Sequence, residues 1–163
     1  MVTVKVGFTG SRDGLTNDQT LQVHMLLGDL KSAGVQTAIH GMCVGADAQF
    51  HFMAKALGYT MIGMPGVTKT GFPWNRADFE GLVTREAKPF LDRNKDIVSE
   101  ADVMIACPKE TTEVMRGSGT WATIRYARRV GRPLCIVWPD GTGVVEKVGD
   151  GMTLDQYRAV LTT

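Results

Sequence analysis

Short apolar runs alternate with amphipathic stretches along the chain, and their spacing predicts a repeated strand-then-helix unit. The run from Val2 to Phe8 is brief, β-branched and bounded by glycine, as a first strand should be. Thr16-Asn17-Asp18-Gln19 has the form of a capping box, so a helix is expected from there, with Val23, Leu26, Leu27 and Leu30 on one face and Gly34 as its stop. A second strand follows over Val35 to Ile39, a helix over Gly45 to Leu57 closed by Gly58, and a third strand over Tyr59 to Met64. Further on, Asp92 to Glu100 reads as a helix, Val103 to Cys107 as a strand, Thr120 to Val130 as a helix stopped by Gly131, and Leu134 to Trp138 as a fifth strand.

Two stretches break this rhythm. Residues 65–90 hold Pro65, Gly66, Gly71, Pro73 and Pro89 among Phe72, Trp74 and Phe79; so long a connection is expected to be a lid or binding loop. Residues 139–163 open with Pro139-Asp140-Gly141-Thr142-Gly143 and read as a C-terminal extension: a turn, a short extended piece and a small helix. No internal repeat or low-complexity tract is present.

Strands separated by helices cannot pair as hairpins, so the expected fold is α/β, a Rossmann-like three-layer parallel sheet with helices on both faces. In such sheets a ligand crevice opens at the carboxyl ends of the strands. Three glycine-rich junctions fall at those ends: Gly7 to Arg12, His40 to Asp47, and Arg116-Gly117-Ser118-Gly119-Thr120. Each can present backbone N–H groups near a helix start, which is the chemistry that binds phosphate.

Composition narrows the picture. With 163 residues and 44% hydrophobic content, residues 1–163 suffice for one domain with a sizeable core. Eighteen Lys and Arg stand against 17 Asp and Glu, so no global field draws the chain to duplex nucleic acid or an anionic membrane. Cys43, Cys107 and Cys135 lack paired zinc-site spacing and are expected as reduced thiols; His24, His40 and His51 are scattered, and no metal or other cofactor is expected. Without a signal-peptide pattern or a membrane span, the expected location is cytoplasmic.

Each candidate residue has a chemical and a plain reading. Gly117, Ser118 and Gly119 can admit a ligand to the backbone, with Thr120 donating to phosphate, or they can simply turn the chain with Thr120 as helix cap. Arg116 can grip phosphate or be a solvated charge. Gly10, Ser11 and Arg12 suit a phosphate or ribose, or form a polar turn. Gly41 and Gly45 bring backbone close to a ligand or to the sheet, while Asp47 can accept from a ribose hydroxyl or merely favour its helix's positive end. Arg93 and Asn94 can offer a fixed cation and an amide to a base, and Trp74 can stack on it; solvated or packed side chains are the alternatives. The longer P-loop pattern and the dinucleotide fingerprint are both absent, which disfavours a magnesium-dependent NTPase.

Taken in order, Thr9-Gly10-Ser11-Arg12-Asp13, His40-Gly41 with Gly45-Ala46-Asp47, Arg93-Asn94 and Gly119-Thr120 resemble the SLOG superfamily. That superfamily includes the LOG phosphoribohydrolases, DprA and the DUF2493/YAcAr group, to which the match is closest. The resemblance spans about residues 3–138 and implies a Rossmann-like sheet, a ligand built from nucleotide parts, and assembly as a homodimer or higher homo-oligomer. LOG hydrolases carry a glutamate three residues after the threonine of their Gly-Thr motif; here that position is Thr123, which cannot supply a carboxylate. Glu86, Glu110 or Glu113 would have to do so. The expected function is therefore binding of a nucleotide or nucleotide-derived ligand, for sensing or sequestration. Cleavage or transfer at a nucleotide N-glycosidic bond is the alternative. Single-stranded DNA binding ranks third, since no interleaved basic and aromatic stripe is present.

Overall fold

Strand β1 (Val4–Gly10) lies near the middle of the sheet, and the rest of the chain is laid out on either side of it. The structure is a computed structural model and describes residues 3–73, 75–77 and 79–163. From β1 the chain passes through α1 (Asn17–Ser32), β2 (Val35–His40), α2 (Ala46–Ala56) and β3 (Thr60–Gly63). Within residues 65–90 come β4 (Gly66–Val67), β5 (Leu82–Thr84) and β6 (Lys88–Pro89), followed by α3 (Phe90–Glu100), β7 (Val103–Cys107), α4 (Gly119–Val130) and β8 (Leu134–Val137). The chain ends with β9 (Gly143–Glu146), β10 (Met152–Thr153) and α5 (Leu154–Leu161).

The main sheet has the order β10-β9-β8-β7-β1-β2-β3-β5. From β8 to β5 every pairing is parallel, and β9 and β10 extend the sheet antiparallel. Side chains alternate between two cores, as the pleat requires. Val6, Phe8, Ile105, Cys107, Cys135 and Val137 meet α1 and α2 on one face, and Met104, Ala106, Leu134 and Ile136 meet α3 and α4 on the other. Burial on both faces explains why these strands read as nearly continuous apolar runs.

The expected elements form, with shifts that have local causes. Strand β1 runs two residues further than its apolar pattern because Thr9 and Gly10 pair with Ala106 and Cys107 of β7; within the strand, a Cβ on Gly7 would collide with Met104 and Ala101 beneath α3. The capping box on α1 is complete, and Gln19 does more than cap. Its buried amide donates to the carbonyls of Pro108 (2.9 Å) and Val137 (3.0 Å), tying α1 to the ends of β7 and β8. Helix α4 is capped by Ser118, not Thr120, and Gly131 ends it in the left-handed conformation. Residues 65–90 are more structured than a plain loop: β5 joins the main sheet beside β3, and β4 pairs with β6.

Candidate functional site

The chain winds from β1 toward β2 and β3, then returns to place β7 on β1's other side, so the loops after β1 and β7 leave on opposite faces of the sheet. A crevice of ≈ 630 Å³ opens there, the size of a small-molecule site. The carboxyl ends of the two strands are level, Gly10 opposite Cys107.

Eleven of the ligand candidates read from the sequence line this wall: Gly10, Ser11, Arg12, Gly41, Asp47, Arg93, Asn94, Gly117, Ser118, Gly119 and Thr120. Gly45 and Arg116 do not. Gly45 works behind the wall: at φ +82° a Cβ would penetrate the Arg12 carbonyl, and only glycine lets the loops after β1 and β2 touch. Trp74 lies outside the described residues. Of the three carboxylates, Glu110 alone reaches the crevice. Glu113 pairs with Arg125 (3.3 Å) and Arg128 (3.2 Å), and Glu86 lines a separate, shallower cleft with Arg85 and Lys88. Thr123 is buried and returns its hydroxyl to the carbonyl of Gly119 (2.7 Å).

The three glycine loops are not equivalent. After β2, three consecutive N–H groups turn inward: those of Gly41 and Cys43 donate to Asp47 Oδ2 (3.1 Å each), and that of Met42 donates to His40 Nδ1 (3.0 Å). These bonds hold Met42 at φ +57° and leave the loop none of these donors for an anion. Asp47 thus acts on the protein's own backbone. Burial pushes its carboxyl up to about 6, against the opposing pull of Arg93.

Arg93 is likewise built in. It is buried, and Nη1 donates to the carbonyls of Gly41 and Met64, the latter at 3.0 Å. Its Nε–H donates to Asn94 Oδ1 (2.8 Å). The guanidinium buckles the end of β2 to that of β3. Asn94 is oriented by this bond, with its amide nitrogen turned toward Gly119. Cys43 is half-buried beside Arg93, and burial raises its thiol above the ordinary range.

His40 and His51 are not scattered. His40 Nε2 and His51 Nδ1 stand 2.9 Å apart, and Phe79 packs on both rings. Because His40 Nδ1 accepts from Met42, the proton lies on Nε2 and points at His51. Burial, then His51, then Arg93 lower His40 to about 3. The pair anchors residues 65–90 to the sheet, and from that segment Asn75 reaches the crevice.

At the start of α4 the donors stay open. Ser118 takes the Trp121 N–H on its hydroxyl (3.1 Å) and the Ala122 N–H on its carbonyl (3.1 Å). Gly119 and Thr120, the first two residues of the helix, line the crevice, and their N–H groups have no intrahelical partner. Across from them Lys109 bridges to Asp13 (2.9 Å), both side chains well exposed. Lys109 was missed from sequence, although its place two residues beyond β7 was a usable signal. Glu110 Oε1 accepts from the indole N–H of buried Trp121 (3.0 Å). Among the described residues no His, Cys, Asp and Glu group could hold a metal, and no helix is long and apolar enough to cross a membrane.

No protein-family model and no curated protein matches the chain. Solved structures do. The molybdenum cofactor binding protein of Rippkaea orientalis superposes with a TM-score of 0.57 at 22% identity, over 85% of this chain and 78% of its own. The molybdenum cofactor carrier protein of Chlamydomonas reinhardtii gives 0.55 at 18%, over 83% and 76%. DNA processing protein A of Streptococcus pneumoniae gives 0.57 at 18%, over 82% of this chain but 50% of that protein. The fold is the Rossmann-like α/β fold these proteins share. At these identities the likeness concerns the fold alone; within it, this chain's own residues make the crevice.

Proposed function

We propose that the chain binds a nucleotide or nucleotide-derived ligand in the crevice, with its phosphate on the Gly119 and Thr120 N–H groups, for sensing or sequestration. The observation that carries this reading is the contrast between loops: after β2 the backbone donors are consumed internally, and at α4 two remain open at the positive end of a helix. Lys109 and Arg12 lie within the same crevice to add charge, and Asn94 presents an amide for a base. The named cargo of the carrier-protein neighbours supports a small-molecule ligand, and the single-stranded DNA reading drawn from DNA processing protein A is weaker on this surface. Thermal shift against mono-, di- and cyclic nucleotides and ADP-ribose derivatives tests the proposal. Ligand at about a hundred times its Kd stabilises by roughly 2.7 kcal/mol, several degrees for a chain of this size. No shift with any of them defeats it.

A second reading, cleavage at the N-glycosidic bond, is favoured by one observation: Glu110 places a carboxylate in the crevice. Release of free base from a nucleoside monophosphate, lost in Glu110→Gln, would establish it. Stoichiometric binding without base release would remove it. A homodimer or higher homo-oligomer and a cytoplasmic setting belong to the same proposal, and sedimentation checks the first.

A further inference from the structure

We infer that Glu110, positioned by Trp121, is the residue that selects a hydroxyl-bearing ligand, so that the crevice discriminates ribose from its deoxy forms. This rests on the nucleotide reading above and goes beyond it by naming the group that is read. A carboxylate is an unexpected guest beside a phosphate cradle, since it repels the anion the open N–H groups would attract. Its presence calls for a ligand donor close to the phosphate.

The geometry supplies the rest. Oε1 is occupied by the indole N–H of Trp121 at 3.0 Å, and the indole itself is locked, 1% exposed and packed against Trp138. Glu110 lines the same crevice as Gly119 and Thr120, and its bond to Trp121, in the first turn of α4, fixes one of its carboxylate oxygens. An ionised carboxylate only accepts hydrogen bonds, and the half-buried Glu110 lines the crevice. Asp47 cannot take this part, since it serves the Gly41 and Cys43 N–H groups, and Asp13 is well exposed, its ion pair with the likewise exposed Lys109 being a weaker hold than the buried Trp121 gives Glu110. A sugar hydroxyl matches an acceptor of this kind, and a site built to bond a hydroxyl rejects the analogue lacking it.

The test compares ribonucleoside 5′-phosphates of the four common bases with their 2′,3′-dideoxy counterparts and with inorganic phosphate, by calorimetry on the wild type, Glu110→Gln and Trp121→Phe. Glutamine keeps an oxygen for the indole N–H but presents an amide donor elsewhere, so the fold is retained while the hydroxyl acceptor is lost. The wild type should prefer ribose about ten- to a hundredfold, the worth of a hydrogen bond to a charged acceptor. In Glu110→Gln that preference should vanish and inorganic phosphate should bind more tightly. Trp121→Phe should shrink the preference without weakening inorganic phosphate. Equal affinity for ribose and dideoxy ligands in the wild type overturns this inference and leaves nucleotide binding standing. A preference that survives in Glu110→Gln overturns it as well. Failure of every ligand to bind overturns both readings.

Discussion

Asp47 and His40 titrate in opposite senses within one loop, and Asp47→Asn should separate them. Asparagine is nearly isosteric, and its one carbonyl oxygen can accept from both Gly41 and Cys43 as Oδ2 does. His40, lowered in the folded chain to about 3 from 6.5, leaves the unfolded chain binding the extra proton as pH falls below 6.5, so it removes stability on acidification. Asp47, raised from 3.8 to about 6, makes the folded chain bind the extra proton below pH 6, so it adds stability on acidification and withdraws it as pH rises. Between pH 7 and pH 5 the loss at His40 is about 2 kcal/mol and the gain at Asp47 about 1 kcal/mol. The wild type therefore masks part of its histidine dependence. Urea denaturation at the two pH values should show Asp47→Asn losing about 1 kcal/mol more than wild type, at an unchanged urea slope. His51 and the exposed carboxylates are common to both proteins and cancel in the difference. Parallel pH dependence in the two proteins would refute the claim that this carboxyl is held up by burial.

The remaining predictions concern two glycines. Gly119→Pro should fold within about 1 kcal/mol of wild type, because proline suits the first helical position and Ser118 before it is already extended. It deletes one proposed phosphate donor, so calorimetry with the tightest-binding nucleotide should show roughly tenfold or greater weakening; unchanged affinity would remove that N–H from the site. Gly45→Ala forces a left-handed backbone and a collision with the Arg12 carbonyl, for about 1–3 kcal/mol of strain, and scanning calorimetry should find Tm lower by about 2–4 °C for each kcal/mol. An unshifted Tm would mean the two loops do not meet as described.

What could be read from the chain beforehand was whatever is encoded locally. The Thr16 and Gln19 box and the Gly131 stop each lie within one turn of the helix end they define, and both form. The sheet order was partly legible too, because strands buried on both faces leave unbroken apolar runs. Strand β5 was hidden: Leu82-Val83-Thr84 is three residues long, and its pairing with Met61 to Gly63 is about twenty residues away. The choice of Ser118 over Thr120 as cap was not decided by residue type, since both cap helices well. Least legible was the fate of polar groups. Nothing in the spacing of His40 and His51 says that a strand end and a helix face will bring them to 2.9 Å, or that Asp47 will turn back on its own loop. Such pairings are settled by tertiary packing, and they decide which glycine loop keeps its donors.

The same distinction separates the crevice's cations. Arg12, Arg93 and Lys109 stand against Asp13, Asp47 and Glu110, so the formal charge on the wall sums to zero and cannot by itself attract an anion. Selection must come from directed donors and from charge that can be rearranged. Arg93 cannot be rearranged: removing it from the Gly41 and Met64 carbonyls would leave buried acceptors unmet, each costing about 1–3 kcal/mol. Lys109 can. Its bridge to Asp13 is exposed on both sides, and such pairs contribute about 0–1 kcal/mol, so an arriving phosphate could take the ammonium with little loss. Two side chains that look alike in the sequence thus divide the work: Arg93 shapes the wall, and Lys109 is the cation positioned to leave its partner for a ligand.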